Sequence, residues 1–232
     1  MAVDLDAERR KVIAVLATAM RGGEAKRAKL LGVSGQTLAD ATAADRHVTK
    51  SPTLPAIERY TGVLYDALDH GSLTAAQRRR LDASVVIVSG LWGAVMPADP
   101  IPAYRLKMSA TVPKLGKLST WWRESLTDAL LALGRGRPIW NLLPKEHDAA
   151  WAPPGDREQY VVRFLDRRSD GSLVAVSHDN KSLKGALVRY LVSHATARPA
   201  DLAGWKHPAG YRYSARASER DGATTVVAMV GR

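Results

Sequence analysis

The sequence predicts a mixed α/β (α+β) fold class: a single domain with a mixed sheet, surrounding helices and a helical N-terminal region. Three observations predict it. Apolar residues recur at helical spacing through most of the first 44 positions. Two hairpin signals, Ser169-Asp-Gly171 and Asp221-Gly222, each lie between β-branched or apolar runs in the second half. Helical stretches interleave with these strands instead of forming a separate block. With 232 residues the chain is long enough to bury a substantial core.

Each element follows from local pattern. Leu5, Ile13, Val15, Leu16 and Met20 define a helix over 5–21, stopped by Gly22-Gly23. Residues 24–31 and 35–44 read as two short helices joined by Gly32-Val33-Ser34, and Pro52 and Pro55 break the chain. Residues 56–68 read as one helix carrying Tyr60-Thr-Gly-Val-Leu-Tyr65; 74–82 read as another, with Thr74 as N-cap. Val85-Val-Ile-Val88 reads as a buried strand. The next segment, 89–108, holds two glycines, three prolines, a Trp, a Tyr and an Arg. It reads as one loop that is a shaped wall rather than a connector. Residues 119–133 form an amphipathic helix with Trp122, Leu126, Leu130 and Leu133 on one stripe. A strand over 138–143, a hairpin of 159–165 with 172–177, a helix over 178–194, and a hairpin of 211–217 with 224–230 complete the reading.

Composition narrows the function classes. There is no cysteine, which removes disulfides, thiolate metal sites and Cys nucleophiles. The six histidines lack ligand spacing, so no metal site and no cofactor are expected. No apolar run approaches the roughly 18 residues of a membrane span, and the N-terminus shows no secretion signal, so the expected location is cytoplasmic with no membrane partner. Ser89-Gly90 lacks the flanking glycines of a nucleophile elbow. The net charge is +11, unevenly spread: +1 over 1–74, +6 over 75–137, −1 over 138–170 and +5 over 171–232. Two basic segments that meet in space make an anion-binding surface.

The candidate site residues lie largely in those segments. In the helix starting near His178, Leu183, Ala186, Leu187, Tyr190 and Leu191 form the apolar stripe. Lys181, Lys184 and Arg189 lie elsewhere, and Gly185 leaves room for the cations to approach one another. With Asn180 and the free N–H groups of the first turn, this is an anion site; the alternative is a solvated basic face with a packing glycine. Arg105 is a second anion-binding candidate, whose alternative is an internal pair with an acid such as Asp99. Tyr60, Tyr65, Trp92 and Tyr104 are candidate pocket-lining residues. No catalytic residue is fixed; the candidates are His178 as a general base, Lys181 and Arg105. Ala28-Lys-Leu-Leu-Gly-Val-Ser-Gly-Gln-Thr-Leu38 suits either a DNA-reading helical hairpin or a hairpin packed on the domain, and the near-neutral charge of 1–74 favours the second.

Several blocks together resemble the YaaA family of peroxide stress proteins. They are Tyr60-Thr-Gly-Val-Leu-Tyr65, Ser89-Gly-Leu-Trp-Gly93, Pro97-x-Asp99, Pro102-x-Tyr104-Arg105-Leu106, Trp121-Trp122, Asn141-Leu142, and Ser177-His-x-Asn-Lys181-x-x-Lys184-Gly185 with Arg189. They run in family order over about 53–215, and the block from Ser89 to Leu106 is the most specific. The resemblance implies one domain over 1–232, with a helical subregion at 1–50 and a core at 53–232. It further implies a fold particular to the family, a positively charged cleft, a helix-hairpin-helix element turning at Gly32-Val33-Ser34, and association with DNA. Family members limit unincorporated iron and oxidative DNA damage under hydrogen peroxide stress. By the resemblance Lys181, Lys184 and Arg189 sit in the cleft, with Arg105, Tyr60 and Tyr65 near its floor. Family members begin with a further strand and a Lys-bearing loop ahead of what is residue 4 here. An open sheet position is therefore expected, closed by dimerisation or by another segment. The resulting expectation is a stress-response protein that binds double-stranded DNA without reading sequence, with Arg105 facing the Lys181–Arg189 stretch across one cleft. The alternatives are an enzyme for a nucleobase, nucleoside or phosphorylated metabolite in that cleft, with a small-molecule ligand as its partner, and a scaffold paralogue.

Overall fold

A computed structural model describes residues 3–176 and 180–231. The chain packs as two compact units: Met1–Arg59 with Val85–Leu133 and Leu143–Pro153, and Tyr60–Ser84 with Gly134–Leu142 and Pro154–Arg232. The expected mixed α/β class holds, including the mixed sheet and the helical N-terminus.

In the first unit, helices Asp6–Ala19, Glu24–Leu31 and Gly35–Arg46 open the chain. The first turns Val12 and Leu16 inward, and Met20 at its end is also fully buried. The second ends on Gly32, whose φ of 65° is the left-handed cap and whose N–H donates to the Ala28 carbonyl at 2.8 Å. Three two-stranded ribbons follow, all antiparallel: Ile87–Ser89 with Gly93–Val95, Thr53–Pro55 with Pro100–Pro102, and Thr111–Val112 with Gly116–Lys117. The segment 89–108 is therefore not a single loop. It contains one strand of a tight hairpin and one strand of a second ribbon. The expected 119–133 helix is seen as Leu118–Trp121 and Arg123–Leu133. Helical bonding continues between them, since Leu126 N–H donates to the Trp122 carbonyl at 2.9 Å.

Arg9 is 3% exposed and ties this unit together. Its guanidinium donates to the carbonyls of Val3 (2.7 Å), Trp92 (3.0 Å) and Ala94 (2.7 Å), and to Asp6 Oδ1 (2.9 Å). A buried cation is tolerable only when its donors are met, and here four acceptors meet them.

The second unit holds a six-stranded mixed sheet. Its central strands, Gln159–Arg167 and Thr224–Val230, run parallel, and Ile139–Asn141 adds in parallel beside Gln159–Arg167. Arg212–Tyr213 and Glu219–Asp221 pair antiparallel with Thr224–Val230, and Leu173–Ala175 pairs antiparallel with Gln159–Arg167. Alternate residues Tyr160, Val162 and Phe164, with Val227 and Met229, are buried with Leu183 and Leu187 of helix Asn180–His194 in one core. The 56–68 helix is broken into Ala56–Arg59 and Val63–Leu68; between them Gly62 adopts φ 105°, which no helix accepts. Thr74 caps Ala75–Ser84 as expected. Its Oγ accepts from Gln77 N–H at 3.3 Å, while Gln77 Oε1 accepts from Thr74 N–H at 2.8 Å.

Candidate functional site

In the first unit, the Ser89-Gly-Leu-Trp-Gly93 block is held by its own atoms. Ser89 Oγ accepts from the N–H groups of Leu91 (3.3 Å) and Trp92 (3.1 Å), and lies 2.6 Å from the Tyr104 hydroxyl. Trp122 Nε1–H donates to the Gly90 carbonyl at 3.0 Å. A Cβ on Gly90 would lie 2.5 Å from the Leu106 carbonyl oxygen. One on Gly93, at φ 71°, would lie 2.8 Å from the Trp122 ring. The block thus packs backbone on backbone at Gly90 and backbone on the Trp122 ring at Gly93. Trp92 is buried and meets Tyr104 edge to face, ring centres 6.2 Å apart.

Arg105 is exposed at the end of this segment. Its backbone N–H donates to Asp45 Oδ1 at 2.8 Å, so the acid beside it is Asp45. Asp99 Oδ2 accepts instead from Met96 N–H at 2.8 Å. Asp45 is fully buried, and its Oδ2 has no hydrogen-bond partner among the described residues. Burial pushes its carboxyl up to about 7, against the opposing pull of the Arg105 N–H bond and guanidinium. Sequence reasoning missed Asp45, although the signal exists. Leu38, Ala41, Thr42 and Asp45 share the buried stripe of helix Gly35–Arg46, so an acid stands where an apolar residue belongs. The same helix and Glu24–Leu31 flank a groove of about 390 Å³, lined in part by Arg27, Leu38, Arg46 and His47.

In the second unit, helix Asn180–His194 carries Asn180, Lys181, Lys184 and Arg189. Lys181 is exposed; Lys184 and Arg189 are partly covered. Gly185 does not serve the cations. A Cβ there would lie 2.1 Å from the Leu64 carbonyl oxygen, so the glycine admits the backbone of helix Val63–Leu68. Arg189 Nη1–H donates to the carbonyls of Leu68 (2.9 Å) and Asp69 (2.8 Å), with the Asp69 carboxylate 3.7 Å away. It closes the C-terminus of that same helix. Tyr60 and Tyr65 stack on one another with ring centres 5.7 Å apart. Burial, and then Tyr60, raises the Tyr65 hydroxyl above its ordinary range. The sequence candidate His178 lies outside the described residues. Arg105, Trp92 and Tyr104 belong to the first unit, and the remaining described candidates to the second.

The chain has relatives among known proteins. A family model described as peroxide stress protein YaaA matches residues 2–217. A UPF0246 protein of Streptomyces coelicolor is 37% identical over 222 residues, which are 94% of this chain and 84% of that one. A UPF0246 protein of Corynebacterium glutamicum is 37% identical over 168 residues, 70% of this chain and 64% of its own length. One from Leptothrix cholodnii is 31% identical over 183 residues, 77% of this chain and 69% of its own.

Proposed function

Because this chain belongs to the peroxide stress protein YaaA family, it is associated with oxidative stress, and we propose that it serves that response by binding double-stranded DNA non-specifically through phosphate contacts. The observation that carries this reading is the charge of the second unit, which has 18 Lys and Arg against 11 Asp and Glu. Several of its acids accept local hydrogen bonds. Asp166 accepts from the Tyr211 hydroxyl, Glu158 from the Tyr160 hydroxyl, Asp170 from Ser172 N–H, and Asp201 from the N–H groups of Ala197 and Arg198. Its cations are widely exposed, among them Arg163, Arg167, Lys181, Arg212, Arg216 and Arg220. An excess of cations with many of them exposed favours a polyanion, and a phosphate backbone is one that needs no base readout.

Each phosphate neutralised releases condensed counterions. The first turn of helix Asn180–His194 contributes the exposed Lys181. The test is fluorescence anisotropy on a random-sequence duplex across a salt series. Removing one cation–phosphate pair lowers the slope of log K against log salt by about 0.9. Lys181→Glu, paired with Lys184→Gln, is expected to flatten the slope by roughly 2. An unchanged slope in that variant removes helix Asn180–His194 from the interface, and no duplex binding at low salt refutes the reading.

A further inference from the structure

We propose that the groove beside the C-terminal half of helix Asn180–His194 is a nucleotide-binding site, taking the phosphate and the planar base of a single nucleotide. The groove is open to solvent, has a volume of about 330 Å³ and lies within the second unit. That volume is at the small end of the range for ligand sites, about 300–1,000 Å³. Among the described residues its lining includes Arg189, Lys206 and His194 but no Asp or Glu. Beneath it lies Trp205, buried in the core, and Tyr190 meets that ring edge to face with ring centres 6.4 Å apart. His194 stacks on Tyr190 with ring centres 4.0 Å apart and an interplanar angle of 23°. The His194 Nδ1–H donates to the Tyr190 carbonyl at 3.0 Å, which holds the imidazole flat against the phenol.

Chemistry selects the ligand class. Cations at the rim ask for an anion, and Lys206 is exposed to meet it. Arg189 donates through Nη1 to the Leu68 and Asp69 carbonyls, which hold its guanidinium in place where it borders the groove. The exposed His194 ring, held flat on Tyr190, offers its outer face to a planar base. Gly204 lines the groove, and a Cβ there would sit in van der Waals contact with the Tyr190 hydroxyl at 3.5 Å, so a bulkier side chain at this position probes the groove directly. A nucleoside monophosphate combines the anion and the ring. The same chemistry has two sources, a free mononucleotide or an unpaired nucleotide within a strand. The site stands apart from the duplex reading, since a groove of this volume admits one nucleotide and no double helix.

The experiment is a titration of the full chain with deoxyadenosine 5′-monophosphate, deoxyadenosine and inorganic phosphate, followed by the His194 ring protons in NMR and by calorimetry. The monophosphate is expected to saturate and shift His194, with the nucleoside and phosphate each weaker by about tenfold or more. Lys206→Glu and Gly204→Leu should each weaken the monophosphate by about tenfold while the circular dichroism spectrum is retained. Displacement of the monophosphate by single-stranded oligodeoxythymidine assigns the nucleotide to a strand; absence of displacement assigns it to the free pool. Binding that neither variant alters, or no saturable shift at 10 mM ligand (roughly a 2.7 kcal/mol binding limit), overturns the proposal. A chain that binds the monophosphate but no duplex keeps this site and loses the duplex reading.

Discussion

Asp45→Asn is predicted to abolish a specific pH dependence of stability. Asp45 is fully buried; its Oδ1 accepts from Arg105 N–H, and its Oδ2 has no hydrogen-bond partner among the described residues. Burial raises its carboxyl from 3.8 to about 7. The folded state therefore holds a proton that the unfolded chain releases. Stability from this group is fully present below the unfolded value near 3.8 and is lost as pH rises to about 7, beyond which it changes no further. A shift of about three units corresponds to roughly 4 kcal/mol. Asn keeps an oxygen for the Arg105 N–H and carries no charge, so the variant lacks this decline. Its new amide N–H₂ replaces the unpartnered oxygen, which costs about 1–3 kcal/mol at every pH. Urea unfolding of both proteins from pH 4 to pH 8 checks the prediction. The wild type should lose stability relative to the variant by roughly 4 kcal/mol over that range, with most of the change below pH 7. Parallel curves would refute the burial argument.

Two further perturbations test the packing that positions the candidate residues. Gly185→Ala sets a methyl 2.1 Å from the Leu64 carbonyl oxygen; despite the better helix propensity of Ala, thermal and urea unfolding should show destabilisation by about 2 kcal/mol or more. Arg9→Met removes a buried guanidinium from the carbonyls of Val3, Trp92 and Ala94, and the same assay should show destabilisation by about 3–5 kcal/mol.

Much of the helical framework was legible because it follows local rules. Residues 24–31 form the expected helix, ended by Gly32, and Thr74 caps its helix with the predicted chemistry. The hairpin around Ser169-Asp-Gly171 was legible in the same way: Arg168 N–H donates to the Ser172 carbonyl at 2.9 Å across that turn. What stayed hidden depends on partners distant in sequence. The parallel pairing of Gln159–Arg167 with Ile139–Asn141 and with Thr224–Val230 leaves no local turn signal. Within 89–108, the prolines and glycines suggested an irregular loop. The tight hairpin is instead set by Ser89 Oγ, by Gly93 and by the Trp122 ring, and only the first two lie inside the segment. Among the candidate residues, the sequence identified Arg189 as a cation of interest but not its role in closing a neighbouring helix. Gly185 was recognised as unusual, yet the backbone it admits lies over a hundred residues away in sequence. The groove lined by Tyr190, Trp205 and Lys206 was not foreseen, because its parts lie on the helix and on a later turn.

If phosphate contacts bind this chain to duplex DNA without reading bases, affinity must follow salt and ignore sequence. The direct measurement is affinity for two unrelated duplexes of equal length between 50 and 200 mM salt (roughly a 10³-fold fall for six contacts). Equal affinities and equal steep slopes on both duplexes are expected. A flat salt dependence, or a preference for one sequence that survives at high salt, would contradict the phosphate-contact reading.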